Sequence, residues 1–303
     1  MTTQSGPEVV GTPRLDEMLG HLIRRTQQLH TLRWAQELNG DLTGPQYALL
    51  SAINSRPQLD QKSAGVLASL DKSTAADVIT RLERNGWIRR QRAADDARRS
   101  VLTLTAPTRN ALAEVTEAVR RVQAGMIGVL SETEREEFVR LLAKVAYAGE
   151  VPIADAKAPS WGDELVLSLS RTPGHLLRRA EQVHQKLWAA KVGSMITPSQ
   201  YALLTALAWQ AEDQTAAGAR ASLDKSSVAD IVQRLRKRGL IGTQFDDVDR
   251  RRKVVSLTPS AITLLAEATP RVREVQEDLL APLDPRFHGQ LIELLKRVAY
   301  QAT

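Results

Sequence analysis

The chain has 303 residues, of which 43% are hydrophobic and only 4% aromatic, so its cores must be built mainly from aliphatic side chains packed in helices. This length suits two domains of about 150 residues. Lys and Arg number 41 against 35 Asp and Glu, so the charge of +6 is mixed rather than uniformly basic. The sequence has no cysteine, which excludes disulfides, thiolate nucleophiles, Cys-ligated zinc and a thiol redox switch.

The N-terminal segment, residues 1–13, is polar and contains Gly and Pro, which indicates a flexible arm. It lacks the apolar core of a signal peptide, and no run in the sequence is long enough to span a bilayer. We therefore expect a cytoplasmic protein.

A long helix is predicted to begin near Arg14. His30 and Trp34 lie one turn apart on its apolar stripe, so the imidazole and the indole point to one place. The pair recurs as His184 and Trp188, at an offset of 154. An imidazole and an indole together can hydrogen-bond to and stack on a planar acid or phenol. These four residues are therefore candidates for ligand binding, with packing at an interface as the alternative.

Other residues of this predicted helix recur as well. His21 precedes the segment LIRR, and His175 precedes the related segment LLRR. By contrast, Arg24, Arg25 and Gln28 fall on the side opposite to the apolar stripe.

Two shorter helices are predicted next in each half. Thr43 and Thr197 are predicted N-caps of helices that carry the segment QYALL. Asp60 and Asp213 are predicted N-caps of a short helix that ends shortly before the next repeated segment.

The segment LDKSTAADVITRLERNGWI, residues 70–88, recurs as LDKSSVADIVQRLRKRGLI, residues 223–241, at an offset of 223 − 70 = 153. Asp71 is its predicted N-cap. The apolar side chains follow helical spacing and must face a core: Ala75, Val78, Ile79 and Leu82. The opposite face carries small or hydrogen-bonding side chains. The chain therefore contains two tandem copies of one module.

A short hairpin is predicted after each of these helices. Gly86 and Gly239 stand where a helix-ending residue with positive φ is expected. In the first copy, strands are predicted at residues 87–91 and 100–105, around an Asp- and Arg-rich loop; the equivalent loop is residues 245–252. Basic residues cluster at 81–99 and 234–253, where a phosphate backbone could lie. The alternative is a basic surface that is only exposed to solvent.

A capped helix with a small polar outer face and an Arg-rich hairpin resembles the recognition helix and wing of a winged helix-turn-helix. The order of elements is similar to that of the multiple antibiotic resistance regulator (MarR) family. The resemblance rests on QYALL at 46–50 and 200–204, on the two repeated segments, and on FDDVDRRRKVVSLT at 245–258, which matches the family's wing pattern. It covers nearly all of both halves.

This resemblance implies a mainly α fold with small β wings, in which two tandem winged helix-turn-helix modules form an intramolecular pseudo-dimer. We expect the first module at residues 1–150 and the second at 151–303, joined by a proline-containing linker at 149–164. Helices are predicted at 107–130, 132–147, 259–280 and 285–300, and in the family such helices, with the first, form the dimerisation domain. Residues 165–170 fit either a strand or a helical turn.

The resemblance also implies which side chains contact DNA. On the recognition helices they are Lys72, Ser73, Thr74, Asp77, Thr80, Arg84, Lys225, Ser226, Ser227, Asp230, Gln233 and Lys237. Asp77 and Asp230 are unexpected there because a carboxylate repels phosphate. Each of them could accept from a cytosine amine or restrain a neighbouring Arg.

The wing residues implied to contact DNA are Asp96, Arg98, Arg99, Asp249, Arg250, Arg251 and Lys253. An Arg held by an Asp two residues earlier is pre-oriented for a narrow minor groove, and a surface salt bridge is the alternative. The first wing has Ala97 and Ser100 where the second has Arg250 and Lys253. We therefore expect the first wing to bind phosphate more weakly.

Enzyme signatures are not found in the sequence. The five histidines form no HxxH or HxxxH pair with a carboxylate, and there is no P-loop, GxGxxG or nucleophile motif, so neither metal nor cofactor is expected. We interpret the chain as a transcriptional regulator, a repressor released by a small ligand such as an aromatic acid. One chain would bind a pseudo-palindromic operator of double-stranded DNA. The alternatives are a ligand-independent architectural DNA-binding protein and a scaffold without DNA binding.

Overall fold

The computed structural model describes residues 11–40, 42–56, 58–93, 100–149, 166–245 and 253–301, and it is mainly helical with small antiparallel sheets. The first set of elements is α1 Leu19–Leu38, α2 Gly44–Ser55, α3 Gln61–Leu67, α4 Lys72–Arg84, β1 Ile88–Arg92, β2 Ser100–Leu104, α5 Ala106–Ile127 and α6 Glu132–Ala146. The second set is α7 Pro173–Lys191, α8 Pro198–Trp209, β3 Glu212–Asp213, α9 Gln214–Arg220, α10 Lys225–Lys237, β4 Ile241–Phe245, β5 Lys253–Leu257, α11 Pro259–Leu280 and α12 His288–Ala299.

The described chain divides into two compact units. The first lobe contains the described residues from Thr26 to Glu181 together with residues 297–301, and the second lobe contains those up to Arg25 together with Gln182–Lys296. These units do not follow the sequence halves, because the start of each repeat contributes to the core that contains the other repeat's capped helices. Val166, Leu167 and Leu169 are buried in the core of the first lobe, and Leu15 and Met18 in that of the second.

Aliphatic side chains from several elements form each core. In the first lobe, Leu50 of α2, Ile79 and Leu82 of α4, Leu102 of β2 and Val119 of α5 are all buried in one cluster. Burying a Leu, Ile or Val side chain stabilises a fold by about 1.5–3 kcal/mol. The aromatic-poor composition is therefore sufficient for a core in each lobe.

Short polar side chains begin the helices where the sequence predicts them. Thr43 and Thr197 each form a capping box with the Gln three residues later. Asp60 and Asp213 accept hydrogen bonds from the free amides of α3 and α9. These caps satisfy first-turn donors that have no partner within the helix.

The predicted hairpins follow the capped helices. Gly86 has a φ of 74° and Gly239 a φ of 67°, so each adopts the left-handed conformation expected after a helix. In the first lobe Ile88 pairs with Leu104, and in the second Ile241 pairs with Leu257. The second lobe also has the short strand β3, which pairs with β5.

A turn of 3₁₀ helix, Leu169–Arg171, forms part of the segment for which the sequence leaves strand and helix open. A 3₁₀ turn occupies the equivalent position of the other repeat, Leu15–Glu17, and another lies before α12 at Pro285–Phe287. Most of the expected N-terminal arm, residues 1–10, and most of the expected linker, residues 150–164, lie outside the described residues.

Candidate nucleic-acid interface and ligand cavity

The start of α4 is fixed by Asp71, the N-cap that the sequence predicts. Its Oδ1 accepts hydrogen bonds from the backbone amides of Ser73 and Thr74, both at 2.9 Å. Asp224 caps α10 in the same way through the amides of Ser226 and Ser227. The repeated segments therefore begin as capped helices in both lobes.

The hydroxyl groups beside these caps also bond to the capping carboxylate. Ser73 Oγ donates to Asp71 at 2.6 Å and Thr74 Oγ1 at 2.5 Å, and Ser226 and Ser227 bond to Asp224 at the same distances. These hydrogen bonds, with those from the backbone, lower the pKa of Asp71. Because the hydroxyl protons are used, these side chains can only accept hydrogen bonds from a second surface.

The apolar stripe of α4 is buried as predicted, at Ala75, Val78, Ile79 and Leu82. The opposite face is open to solvent, and most of the predicted contact residues lie on it. The exposed members are Lys72, Ser73, Asp77, Thr80, Arg84, Lys225, Ser226, Asp230, Gln233 and Lys237, whereas Thr74 and Ser227 are partly buried.

The unexpected carboxylates on this face pair with an Arg one turn later. Asp77 Oδ2 lies 2.8 Å from Arg81, and Asp230 Oδ2 lies 2.8 Å from Arg234. These exposed pairs contribute little to stability, since such surface ion pairs are screened. Their effect is to orient a guanidinium, which is the arrangement that the restraint interpretation requires.

One exposed position differs chemically between the two helices. Thr80 Oγ1 donates to the carbonyl of Ala76 at 2.8 Å, so its proton is held within α4. In the equivalent position of α10, Gln233 is exposed, and its amide has no hydrogen-bond partner among the described residues. The second helix therefore presents two donors and an acceptor where the first presents a hydroxyl that can only accept.

The wing tips lie outside the described residues, and with them Asp96, Arg98, Arg99, Asp249, Arg250 and Arg251. Lys253 begins β5, where it pairs with Phe245. Strand β1 carries three exposed arginines that the sequence reasoning did not single out: Arg89, Arg90 and Arg92. They extend the basic surface from α4 along the first hairpin.

A cavity of about 330 Å³ opens beside His30 and Trp34 in the first lobe. It is lined by residues of α1, α2, α5 and α7, including Tyr47 and Arg178, and by Thr172 just before α7. The rings of His30 and Trp34 have centroids 5.5 Å apart, and the Trp34 indole donates to the carbonyl of Leu42 at 2.6 Å. The predicted His-Trp pair therefore lies at the wall of a cavity in this lobe.

His30 is fixed by a short chain of hydrogen bonds. Its Nε2 lies 3.3 Å from Gln123 Nε2, and Gln123 Oε1 accepts from the backbone amide of Gly174 at 2.8 Å. A Cβ on Gly174 would collide with the His30 ring, so this approach requires glycine. Burial, and secondarily Arg178, lowers the pKa of His30 to about 4. The imidazole is consequently neutral near pH 7.

Arg178 connects the cavity wall to the turn before α4. It donates to the carbonyls of Ala68 at 2.5 Å and Ser69 at 3.0 Å, and it lies 3.1 Å from His175 Nδ1. No carboxylate of the described residues lies within ion-pair distance of it. Burial, and secondarily Arg179, lowers the pKa of Arg178 to about 10, which leaves it charged near pH 7.

The second lobe reproduces most of this framework around His184 and Trp188, although Gln276 Nε2 has no hydrogen-bond partner there among the described residues. The Trp188 indole donates to the carbonyl of Ile196 at 2.8 Å, and the amide of Gly20 donates to Gln276 at 3.0 Å. Arg24 donates to the carbonyls of Ala221 and Ser222, in the turn before α10. The cavity here is about 10 Å³, and Trp188 is only 4% exposed.

Sequence reasoning missed several residues of this framework. Arg24 falls opposite the apolar stripe, yet it is half-buried because it bonds to the turn before α10. Gly20 and Gly174 went unnoticed, although each precedes a His at the same offset of 154 that relates the two His-Trp pairs. That repeated Gly-His pair was the available signal.

Side chains in the described part of the chain form no cluster of three or more potential metal ligands. None of its helices combines the length and the apolar character needed to cross a bilayer.

Comparison with known proteins finds similarity to transcriptional regulators. The sequence profile of the MarR family matches residues 42–100. The transcriptional regulator HosA of Escherichia coli O157:H7 is 38% identical over 125 residues, which are 41% of this chain and 92% of HosA. The HTH-type transcriptional repressor NicR of Pseudomonas putida is 28% identical over 138 residues, 45% of this chain and 87% of NicR.

A solved structure is similar as well. The PcaV transcriptional regulator of Streptomyces coelicolor, crystallised with its natural ligand, is 36% identical, with a TM-score of 0.42. The match covers 44% of this chain and 96% of that protein. Each of these relatives therefore corresponds to less than half of the chain.

Proposed function

Because the chain belongs to the MarR family, we propose that it is a DNA-binding transcriptional regulator in which one chain supplies two winged helix-turn-helix modules. The modules correspond to the sequence repeats, residues 1–150 and 151–303. Support comes from the matching capped helices, α4 and α10, each with an exposed polar face and a following hairpin. The two recognition helices, with their wings, would contact the two halves of one pseudo-palindromic operator as an intramolecular pseudo-dimer.

The regulator acts as a repressor that a small aromatic acid releases. A named repressor, NicR, is among the relatives, which supports the first part. The observation that carries the second part is the 330 Å³ cavity that contains an aromatic wall and the Arg178 guanidinium. Ligand sites typically occupy about 300–1,000 Å³ and combine apolar walls with a few polar groups. A planar ring can pack against the wall that Trp34 and Tyr47 form in edge-to-face contact, and a carboxylate matches the cation.

Arg178 supplies the link between ligand and DNA. Its guanidinium bonds to the Ala68 and Ser69 carbonyls, in the turn before Asp71 caps α4. A ligand carboxylate competes for this guanidinium and so weakens its hold on the turn. The ligand releases DNA only if it binds the loosened state more tightly than the DNA-bound state. A ligand with equal affinity for both states would release no DNA, however tightly it bound.

The proposal is tested in two steps. First, a duplex is selected from a random-sequence pool with the full-length protein, and its affinity is measured by fluorescence anisotropy at several salt concentrations. The affinity should fall steeply with salt, because binding releases counterions from the phosphates. Second, a panel of benzoic, hydroxybenzoic and pyridine carboxylic acids is added, and at least one should release the duplex.

Substitution of Trp34 distinguishes a ligand-binding role of this side chain from a purely structural one. We expect Trp34→Ala to keep duplex affinity but to require a higher acid concentration for release. Trp209→Ala is a matched control, since Trp209 is exposed and outside the cavity.

The alternatives give different results in the same assay. Duplex binding that no acid reverses would support a ligand-independent architectural protein instead. Absence of salt-dependent duplex affinity would support a scaffold without DNA binding.

A further inference from the structure

We propose that one chain holds one effector molecule, in the first-lobe cavity, and that Met18 occupies the corresponding place in the second lobe. This inference rests on the proposed ligand response and adds its stoichiometry. A regulator made of two repeats would thus have two DNA-contacting helices and one effector site.

The two cavities differ enough in volume to decide occupancy. The first has about 330 Å³ and the second about 10 Å³. A space must be about 10–15 Å³ to hold a single water molecule. The second space is therefore too small for an aromatic acid, whereas the first falls within the range of ligand sites.

Of the residues that line the second space, two differ from their counterparts in the first cavity. At the offset of 154, Thr172 of the first cavity corresponds to Met18 of the second, and Gly44 corresponds to Pro198. Met18 is only 6% exposed and belongs to the core of its lobe. A longer side chain and a proline ring thus stand where the open cavity has a short side chain and a glycine.

The aromatic side chains around the two spaces are the same in both lobes. His30 corresponds to His184, Trp34 to Trp188, and Tyr47 to Tyr201. The His-Trp ring centroids are 5.5 Å apart in the first lobe and 5.7 Å in the second, and both tryptophans also stand edge-on to the tyrosine. The second site therefore keeps the aromatic side chains of a ligand site but lacks the cavity volume that a ligand needs.

The cavity also indicates the chemical class of the effector. Its wall is mainly apolar, with two aromatic rings, and Arg178 contributes a positive charge. The hydroxyl of Tyr47 is already engaged by Thr116 and by the amide of Leu167. The polar end of the effector is therefore directed to Arg178, which fits a monocyclic aromatic carboxylate.

Isothermal titration calorimetry on the full-length chain measures this stoichiometry. The probes are benzoate, 2-hydroxybenzoate, 4-hydroxybenzoate and nicotinate, and we expect the acid that binds to do so at one molecule per chain. Thr172→Met should weaken binding by at least about tenfold, because the longer side chain would occupy space that the ring of the acid needs. Thr172→Ser is the matched control, since it keeps the hydroxyl that donates to the carbonyl of Ser168, and it should bind nearly as the unchanged chain does.

The reciprocal double variant Met18→Thr with Pro198→Gly should raise the stoichiometry to two acids per chain. If this variant does not fold, the unchanged chain and Thr172→Met still decide the question. Two acids bound to the unchanged chain would overturn the inference and leave the proposed ligand response intact, as would one acid whose binding Thr172→Met does not weaken. Failure of every acid to bind would instead overturn the proposed ligand response, and the inference with it.

Discussion

The proposed recognition helices, α4 and α10, diverge much less between the two repeats than the cavities do. In α4 and α10 the capping carboxylate, both hydroxyl bonds to it and the Asp-Arg pair are reproduced at closely similar distances. In the cavities the walls are reproduced but the volume falls from about 330 to about 10 Å³. A helix that reads DNA needs its whole exposed face, whereas a cavity is closed by changing one or two residues.

Some contacts are present in both lobes and leave little room for substitution. Gly174 lies against His30, and Gly20 against His184, so closely that neither position has room for a Cβ. Each lobe also has an Arg that bonds to the turn before its recognition helix. These contacts are equal in the two lobes, so mutations there should act equally, and mutations at the cavity or wing should not.

The largest effect is expected from the glycines. Gly174→Ala and Gly20→Ala should each lower the free energy of unfolding by about 1–3 kcal/mol or more, because the added methyl group overpacks the site. Urea denaturation measures this change. Gly289→Ala is the control: it has open space around it in α12 and should be neutral or stabilising by up to about 1 kcal/mol. A stabilised Gly174→Ala protein would contradict the packing described here.

Arg178 and Arg24 should have equal structural effects but different functional effects. Arg178→Met and Arg24→Met each remove charged hydrogen bonds to two backbone carbonyls, so we expect losses of about 1.5–3 kcal/mol in urea denaturation. Only Arg178→Met should also abolish release by the acid. Arg109→Met, on the exposed face of α5, should change stability by less than about 0.5 kcal/mol. If Arg24→Met lost the response to the acid as fully as Arg178→Met, the ligand response would not be confined to the first lobe.

For DNA binding by the wings, the larger effect is expected in the second repeat rather than the first. The second wing keeps Arg250, Arg251 and Lys253, so Arg251→Ala should weaken duplex binding by about 1–3 kcal/mol if a minor-groove contact is made. We expect Arg98→Ala to cost less. Fluorescence anisotropy with the selected duplex compares the two, and equal or negligible losses would argue against unequal wings.

The smallest expected difference lies in the half-sites. The Gln233 amide has no hydrogen-bond partner among the described residues. A Gln side chain can bind adenine through two hydrogen bonds, which is worth about 1–3 kcal/mol of discrimination at one base pair. Gln233→Thr should therefore relax selection at that base pair in one half-site, and Thr80→Gln should create a matching preference in the other. Repeated selection from the random pool reveals both changes. Unchanged preferences would show that this position does not contact a base.

Local features of the fold could be predicted from the sequence because their causes are local. Asp71, Thr43 and Gly86 act on amides or dihedral angles within a few residues, and the stripe of α4 follows from helical spacing. The contribution of residues 166–181 to the first lobe could not be predicted, since helical periodicity gives which face is buried but not against which core.

The unequal cavities were hidden for the same reason. The His-Trp pairs are identical in sequence, and the residue that closes the second site, Met18, precedes the first helix by one position and belongs to the other repeat. Only the packing of the second lobe places Met18 beside Trp188. Arg24 was misjudged similarly, because an apolar stripe does not reveal an Arg that bonds to the carbonyls of a distant turn.

Native mass spectrometry of the chain with its selected duplex and the bound acid tests the central claim most directly. It counts chains per duplex and acids per chain in single species. The account predicts one chain per duplex, because one chain supplies both recognition helices, and one acid per free chain. Two chains on each duplex, or two acids on each free chain, would contradict it.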